Sequence, residues 1–386
     1  MPNVTETYIN SLLSDATYAL DNKTQDGLSG FLLADKLKAR MTPILANYIS
    51  DNFKVVTHID SEEFIDSGFD ATVWRDNKSG KTYVSMTGSE GAGDFLTDID
   101  LSLSGLARTQ IEDMVNWWLK NTTPVNEIAQ QIKFNGVFFI AGPSTTGTGI
   151  LSDITNIFVN GHSLGGHLTT AFVRIFGEQW HIDHSYAFNG AGFTVTSTKF
   201  FDNIASILGN EVGLEDFPSN EKQSNFFAKN GINLTTQNWV NGQIGQRIPL
   251  FNEESSNPIN NHFMYKLTDA LALGNLLSKL DSSFDIAKMN SLFEQGSNED
   301  ISSLENILDA LRRLFIGNSI TETPIGDVSD SAISRVTYHQ NLSELKEVLF
   351  DIQNYEKLEL TLKPQYQNLK IVEVASLSDS EKLDNT

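Results

Sequence analysis

Apolar positions change their rhythm along the chain, and that change divides it. Up to about residue 50 they recur at three-to-four spacing: Tyr8, Leu12, Leu13, Tyr18 and Leu20, then Leu32, Leu33, Leu37, Met41 and Ile44, which predicts helices. From Thr72 the period shortens. Thr72–Trp74 and Lys81–Met86 flank the turn cluster Asp76-Asn77-Lys78-Ser79-Gly80, a hairpin signal. Ile111, Met114, Val115, Trp118 and Leu119 mark one helical face. Short β-rich runs follow at 136–140, 154–159, 185–188, 225–228 and 247–251, with a helical stripe Leu168, Ala171, Phe172, Ile175 and Phe176 among them. Strands alternating with helices predict an α/β fold with a mainly parallel sheet. Beyond Leu267 the leucines return to helical spacing, and 376–386 is polar. The reading divides the chain into a helical N-terminal layer (1–60), an α/β core (61–285) and a helical C-terminal region with a polar tail (286–386).

Composition narrows the classes. Of 386 residues, 49 are Asp or Glu and 27 Lys or Arg, a net charge of −22. That field repels phosphate backbones, so nucleic acid is not an expected partner. No apolar run reaches the length of a membrane-spanning helix. The first residues, MPNVTETYIN, lack the basic and apolar regions of a signal peptide. There is no cysteine, hence no thiolate nucleophile, disulfide or Cys-ligated zinc.

One segment carries chemistry. Gly161-His162-Ser163-Leu164-Gly165 is G-x-S-x-G between a predicted strand and a predicted helix. A serine on so tight a turn exposes its hydroxyl, small neighbours let the backbones approach, and the helix N-terminus aims N–H groups at a developing oxyanion. Leu164 supplies one such N–H. The same segment also reads as an ordinary glycine-rich turn with a serine cap.

Asn160–Gly166 resembles the nucleophile elbow of the class 3 lipases, a branch of the α/β-hydrolases. Val84–Glu90 followed by Asp94–Asp98 resembles that family's oxyanion loop, with Ser89 at the oxyanion position and Thr87 where the family usually has Arg. The likeness spans roughly 68–269. Asn260–Leu273 further resembles a segment in lipase-like regions of large bacterial proteins exported by type I secretion. The resemblance implies an α/β-hydrolase core, a Ser-His-acid mechanism on lipid esters, a substrate at a lipid–water interface, and a secreted bacterial protein without a classical signal peptide.

Chain order in such folds is serine, acid, histidine, which excludes His58. His162 and His167 adjoin the serine, His181 and His184 precede a strand, and His339 reads as a surface residue. His262, in a loop after the last predicted strand, is the expected base. The acid departs from the family: Asn230 matches, but Gly231 stands where the family has Asp. Glu253 is preferred as the acid; Glu254, Asp216 and Asn230 are the alternatives. Six phenylalanines (193, 200, 201, 226, 227 and 263) suit either an acyl pocket or core packing. No cofactor is required by this chemistry. Asp94, Asp98 and Asp100, and separately Glu215-Asp216, are oxygen-rich enough for a structural Ca²⁺. Two other readings stay open: a phospholipase A1, and a hydrolase-like binding module whose activity has decayed.

Overall fold

A computed structural model describes residues 2–20, 26–60, 67–88, 107–177, 180–193, 197–209, 222–231, 245–257, 259–296, 304–325, 331–353, 360–361 and 370–371. Seven strands form the main sheet: β1 (Phe53–Ile59), β2 (Ala71–Asp76), β3 (Thr82–Met86), β4 (Asn156–His162), β5 (His181–Phe188), β6 (Gln223–Ala228) and β7 (Gln246–Leu250). They lie side by side in chain order. β1–β2 and β2–β3 pair antiparallel, and every pairing from β3 to β7 is parallel. One helix lies between β3 and β4 in the chain, another between β4 and β5, and a third between β5 and β6, as parallel pairing requires.

The helices are α1 (Val4–Thr17), α2 (Gly30–Leu37), α3 (Pro43–Asn52), α4 (Ala107–Thr122), α5 (Leu164–Phe176), α6 (Ser197–Leu208), α7 (Met264–Leu280), α8 (Ile286–Gly296), α9 (Leu304–Phe315) and α10 (Val336–Gln353). Strand alternation decides what each sheet face meets. Ile157 and Val159 face a core shared with Trp118 of α4, Phe172 and Phe176 of α5, and Phe201 and Ile204 of α6. Trp118 packs edge-on against Phe172 at 4.9 Å. The other face presents Tyr83 and Phe158, stacked at 5.2 Å, and Asn160, whose Nδ2 donates to Asn10 Oδ1 of α1 at 2.9 Å. α1 and α7 pack together there. This is the α/β-hydrolase arrangement: a largely parallel sheet between two helical layers, with a serine turn joining β4 to α5.

Two departures from the periodicity have physical causes. β1 is a strand that the pattern did not predict. It is buried on both faces toward its end and its register slips between Val55 and Thr57, so neither clean alternation nor helical spacing marks it. The run at 136–140 is no member of the main sheet; Ile132–Phe134 and Phe139–Ala141 form a separate hairpin. Asn135 breaks the run into a turn, its Oδ1 accepting from the N–H groups of Val137 and Phe138, each at 3.0 Å.

The chain forms two compact units, Met1–Asn290 and Ser291–Thr386. In the second, a buried Asp309–Arg312 pair (2.8 Å) organises α9, and Arg312 also reaches Glu344 of α10 at 3.0 Å. His339 is buried in this unit at 2% exposure. The expectation of a surface histidine fails because Tyr338 and its neighbours turn this helix face inward. Among the described residues no helix is long and apolar enough to cross a membrane.

Candidate active site

The parallel registers align the strand ends. Met86 pairs with Gly161, Gly161 with Ala187, Phe226 with Phe188, and Ala228 with Leu250. The residues that leave these strand ends therefore gather along one edge of the sheet: Thr87-Gly88, Ser163, Asn189, Asn230 and Asn252. In open parallel sheets this carboxyl edge is where ligands bind.

Ser163 has φ 57° and ψ −121°, outside the regions an L-residue favours. Such a backbone persists only when neighbours over-determine it. Here its N–H donates to Phe188 O (3.0 Å), and its carbonyl accepts from Gly166 N (3.0 Å), Ala191 N (3.2 Å) and His167 N (3.3 Å). The motif glycines permit the approach: a Cβ on Gly165 would lie 2.1 Å from Met86 O, and one on Gly161 2.3 Å from Gly165 O. α5 consequently starts against the end of β3, with the N–H of Leu164 at that junction. A Cβ on Gly88 would be 2.9 Å from Leu164 N and 3.0 Å from Ser163 Cβ, so the stretch entering the expected oxyanion loop passes over the elbow. Ser89 itself lies outside the described residues, as do Asp94, Asp98, Asp100, Glu215 and Asp216. Among the described residues no group of three His, Asp or Glu side chains forms a metal site.

His262 closes the short 3-10 turn Asn260–His262 before α7 and is buried at 2% exposure. Its ring lies 4.7 Å from the His162 ring, centroid to centroid. Burial first, and then the His162 ring, push its pKa well below the ordinary histidine value, which keeps the imidazole neutral and able to accept a proton. Two donors fix the His262 carbonyl: Asn189 Nδ2 at 2.8 Å and His162 Nε2 at 2.8 Å. The second bond makes Nε2 the protonated nitrogen of His162 and leaves Nδ1 to accept from Tyr18 Oη at 3.2 Å. Tyr18 Oη in turn accepts from Gly88 N at 2.7 Å. A single hydroxyl, from the residue capping α1, thus links the loop above the elbow, the elbow and the histidine turn.

Asn189, Tyr18 and His162 are the site residues that sequence reasoning missed. Asn189 sits at a strand end with φ 45°, a conformation Asn tolerates, and its Oδ1 also accepts from Ala228 N at 2.9 Å. Its place between a strand and Gly190 is the signal that could have marked it. Nothing local marks Tyr18, whose partner is 144 positions away.

At the expected acid positions the side chains are crowded and mutually paired. Gly231 has φ 78°, and a Cβ there would meet Asn261 Nδ2 at 2.3 Å and Glu254 Cγ at 3.2 Å. Space that a family Asp would use is thus filled by Asn261 and the stem of Glu254. Asn230 is paired with Asn252: Asn230 N–H donates to Oδ1 (2.8 Å), Asn230 Nδ2 to the carbonyl (2.9 Å), and Asn252 Nδ2 returns a bond to Asn230 O (3.0 Å). Glu253 is half-buried and Glu254 exposed; the Glu253 carbonyl accepts from Lys266 Nζ at 3.3 Å. Of the phenylalanines, Phe193 stacks on His167 at 3.8 Å and meets Phe201 edge-on at 5.3 Å, beside the elbow helix, whereas Phe226 stacks on Phe188 within the sheet. A cavity of ≈ 590 Å³ lies elsewhere, lined by His58, Trp117, Lys120 and Ile150, and no elbow residue borders it.

Burial holds the pKa values of His58, His162 and His167 down to about 4 from 6.5. The unfolded chain takes up these protons first, so stability is full above about pH 6.5 and falls as the pH drops toward 4. Each fully titrating histidine contributes roughly 1.4 kcal/mol per pH unit in that window. Urea midpoints at pH 7.5, 6 and 5 should decline steadily; equal midpoints would mean these rings are hydrated. Tyr18→Phe, which leaves the Gly88 N–H and His162 Nδ1 without this hydroxyl, should cost about 1–2 kcal/mol of stability. In an ester hydrolysis carried by Ser163 and His262 it should also cost roughly tenfold in kcat, by displacing both.

Neither the protein-family models nor the curated proteins contain a match to this sequence. Among solved structures, the chain is similar to Lip2 lipase from Yarrowia lipolytica, at 13% identity over 66% of this chain and 80% of that one, with a TM-score of 0.38. The nonglycosylated LIP2 lipase of Yarrowia lipolytica gives 13% identity, 67% and 82% coverage and a TM-score of 0.37. A lipase from Rhizopus microsporus var. chinensis gives 8%, 58% and 66%, and 0.25. Identities and scores this low carry no chemistry across.

Proposed function

We propose that this chain is a serine hydrolase of carboxylic esters, with lipid esters as substrates. The observation that carries the reading is the strained Ser163 backbone at a strand-to-helix turn, with the neutral, buried His262 ring against that turn. In the proposed reaction, Ser163 Oγ attacks the ester carbonyl carbon while His262 takes its proton. The carbonyl oxygen, now anionic, is held by the Leu164 N–H and by Ser89. The tetrahedral intermediate collapses, His262 protonates the departing alkoxide, and an acyl-Ser163 remains. Water, deprotonated by His262, then releases the acid and restores the serine. Glu253 is assigned as the carboxylate that steadies the imidazolium. If so, Glu253→Gln should lower kcat/KM by on the order of 10⁴, with Glu254→Gln nearly silent; the reverse ranking moves the role to Glu254, whose stem lies beside Gly231.

The resemblance of Asn160–Gly166 to class 3 lipases supports lipid esters, and that of Asn260–Leu273 to type I-secreted proteins supports export. Phe193 and Phe201, packed beside the elbow helix, belong to the buried core, so core packing accounts for these two phenylalanines. A phospholipase A1 shares the same chemistry, and −22 of net charge disfavours anionic phospholipid surfaces. No cofactor enters the reaction; a structural Ca²⁺ at Asp94, Asp98 and Asp100 would be read as a fall in Tm on adding EDTA. The reading is tested by an organophosphonate ester. One phosphonyl adduct on Ser163, located by peptide mass, together with release of p-nitrophenol from p-nitrophenyl butyrate, is expected. A chain that neither labels nor turns over is a binding module built on a hydrolase frame.

A further inference from the structure

The segment between α4 and β4 joins exposed apolar side chains to a lack of acidic ones. From Ile128 to Ser152 an otherwise strongly acidic chain holds no Asp or Glu and one charged residue, Lys133. Within it, at the hairpin Ile132–Ala141, Val137 is 70% exposed, Phe138 49% and Ile140 37%. The hairpin is fixed firmly to the fold. Phe139 is buried against Phe134 at 5.3 Å, and its N–H donates to Asn203 Oδ1 of α6 at 2.7 Å. Pairing of Phe134 with Phe139 and of Lys133 with Ile140 sends the first pair inward and the second outward. The exposed apolar side chains therefore belong to a rigid tip.

The direction of that tip follows from its partners along α4. Ile132 bonds to Asn116, Phe134 N to Glu112 at 2.6 Å, and the Arg108 guanidinium lies over the Phe134 ring at 5.5 Å. The hairpin thus climbs from the middle of α4 toward its N-terminus. The other end of α4 meets the approach to β4, where Leu151 N donates to Asn121 O at 2.9 Å. α4 therefore runs opposite to β4, and its N-terminus, with the hairpin tip beside it, lies toward the carboxyl edge that carries Ser163.

We infer that Val137, Phe138 and Ile140 form a wedge that inserts into a lipid surface of no net charge and brings the Ser163 edge to it. The choice of a lipid surface rests on the ester-hydrolase reading. Charge supports it: the stretch has no carboxylate to desolvate at an acyl boundary, and Lys133, on the outward face with Ile140, can bury its stem while its ammonium stays among headgroups. The net charge elsewhere repels anionic lipid.

The test uses the full chain carrying Ser163→Ala, so that lipid is not consumed, with phosphatidylcholine vesicles and co-sedimentation. Binding is expected. Val137→Ser with Phe138→Ser should weaken it at least about tenfold, given what burial of two such side chains is worth. Phosphatidylglycerol mixed into the vesicles should weaken it further. If the double variant is misfolded by near-UV circular dichroism, Phe138→Trp replaces it, and its emission should shift to the blue on adding vesicles. With Ser163 present, the tip variants should hydrolyse monomeric p-nitrophenyl acetate at the unaltered rate. Absence of vesicle binding, binding indifferent to the tip, an unmoved Trp emission, or a dimer in sedimentation that the tip changes dissociate would each overturn the wedge. Vesicle binding without any esterase activity would leave the wedge standing and remove the hydrolase reading.

Discussion

Ser163→Ala should lower kcat/KM toward p-nitrophenyl butyrate by on the order of 10⁶, the usual loss when a triad's nucleophile is removed. The fold should hardly notice. Alanine has the same Cβ and keeps the same backbone bonds, donating to Phe188 O and accepting from Gly166 N and Ala191 N. Ser163→Gly is the sharper comparison. At φ 57° and ψ −121° a side chain is strained by about 1–3 kcal/mol, and glycine relieves it at the entropic cost of a freer unfolded chain. The glycine variant should be inactive and at least as heat-stable as the parent. Residual hydrolysis above a percent in either variant would place the nucleophile elsewhere; a glycine variant several degrees less stable would mean that the elbow is not strained.

His262→Ala should be nearly as damaging as loss of the serine, and the two changes together scarcely worse than one, because triad members act as a unit. The comparison that isolates its chemistry is His162→Ala. That change removes the donor to the His262 carbonyl but leaves Asn189 Nδ2 holding it, so rate should fall by far less. The depressed pKa of His262 sets the pH profile. The base must be neutral to accept a proton, and burial keeps it neutral below pH 6.5, so the acid limb of kcat/KM should fall below the ordinary histidine value. A limb near 6.5 that persists in His262→Ala would assign the titration, and the base, to another group.

What the sequence shows of this site is its local part. The G-x-S-x-G elbow is legible because its requirements are covalent neighbours: a strand before, a helix after, and glycines where Met86 and Gly165 carbonyls come within a bond length or two of any Cβ. Strands β4 to β7 are legible as short runs rich in β-branched and aromatic residues. His262 stands out by chain order alone. The long-range parts are hidden. Tyr18 reads as one more apolar helix position, although its hydroxyl is what the site uses. Gly231 shows that no carboxylate stands at that position, but only the packed structure shows Asn261 and Glu254 filling the space. β1 escapes for a related reason: burial on both faces toward its end erases the alternation by which a strand is read.

The tie through Tyr18 gives the first twenty residues a role that their distance from the catalytic motif conceals. A fragment lacking the first twenty residues would keep Asn160–Gly166 intact and still lose the hydroxyl that joins the elbow to the loop above it, along with the Asn10 partner of Asn160. A screen of shortened clones would then miss the proposed hydrolysis even though Ser163 and His262 are both retained. Conversely, the α1 peptide is a detachable key. A peptide of residues 2–20, supplied in trans to a trimmed chain, should restore any hydrolysis that depends on the Tyr18 hydroxyl.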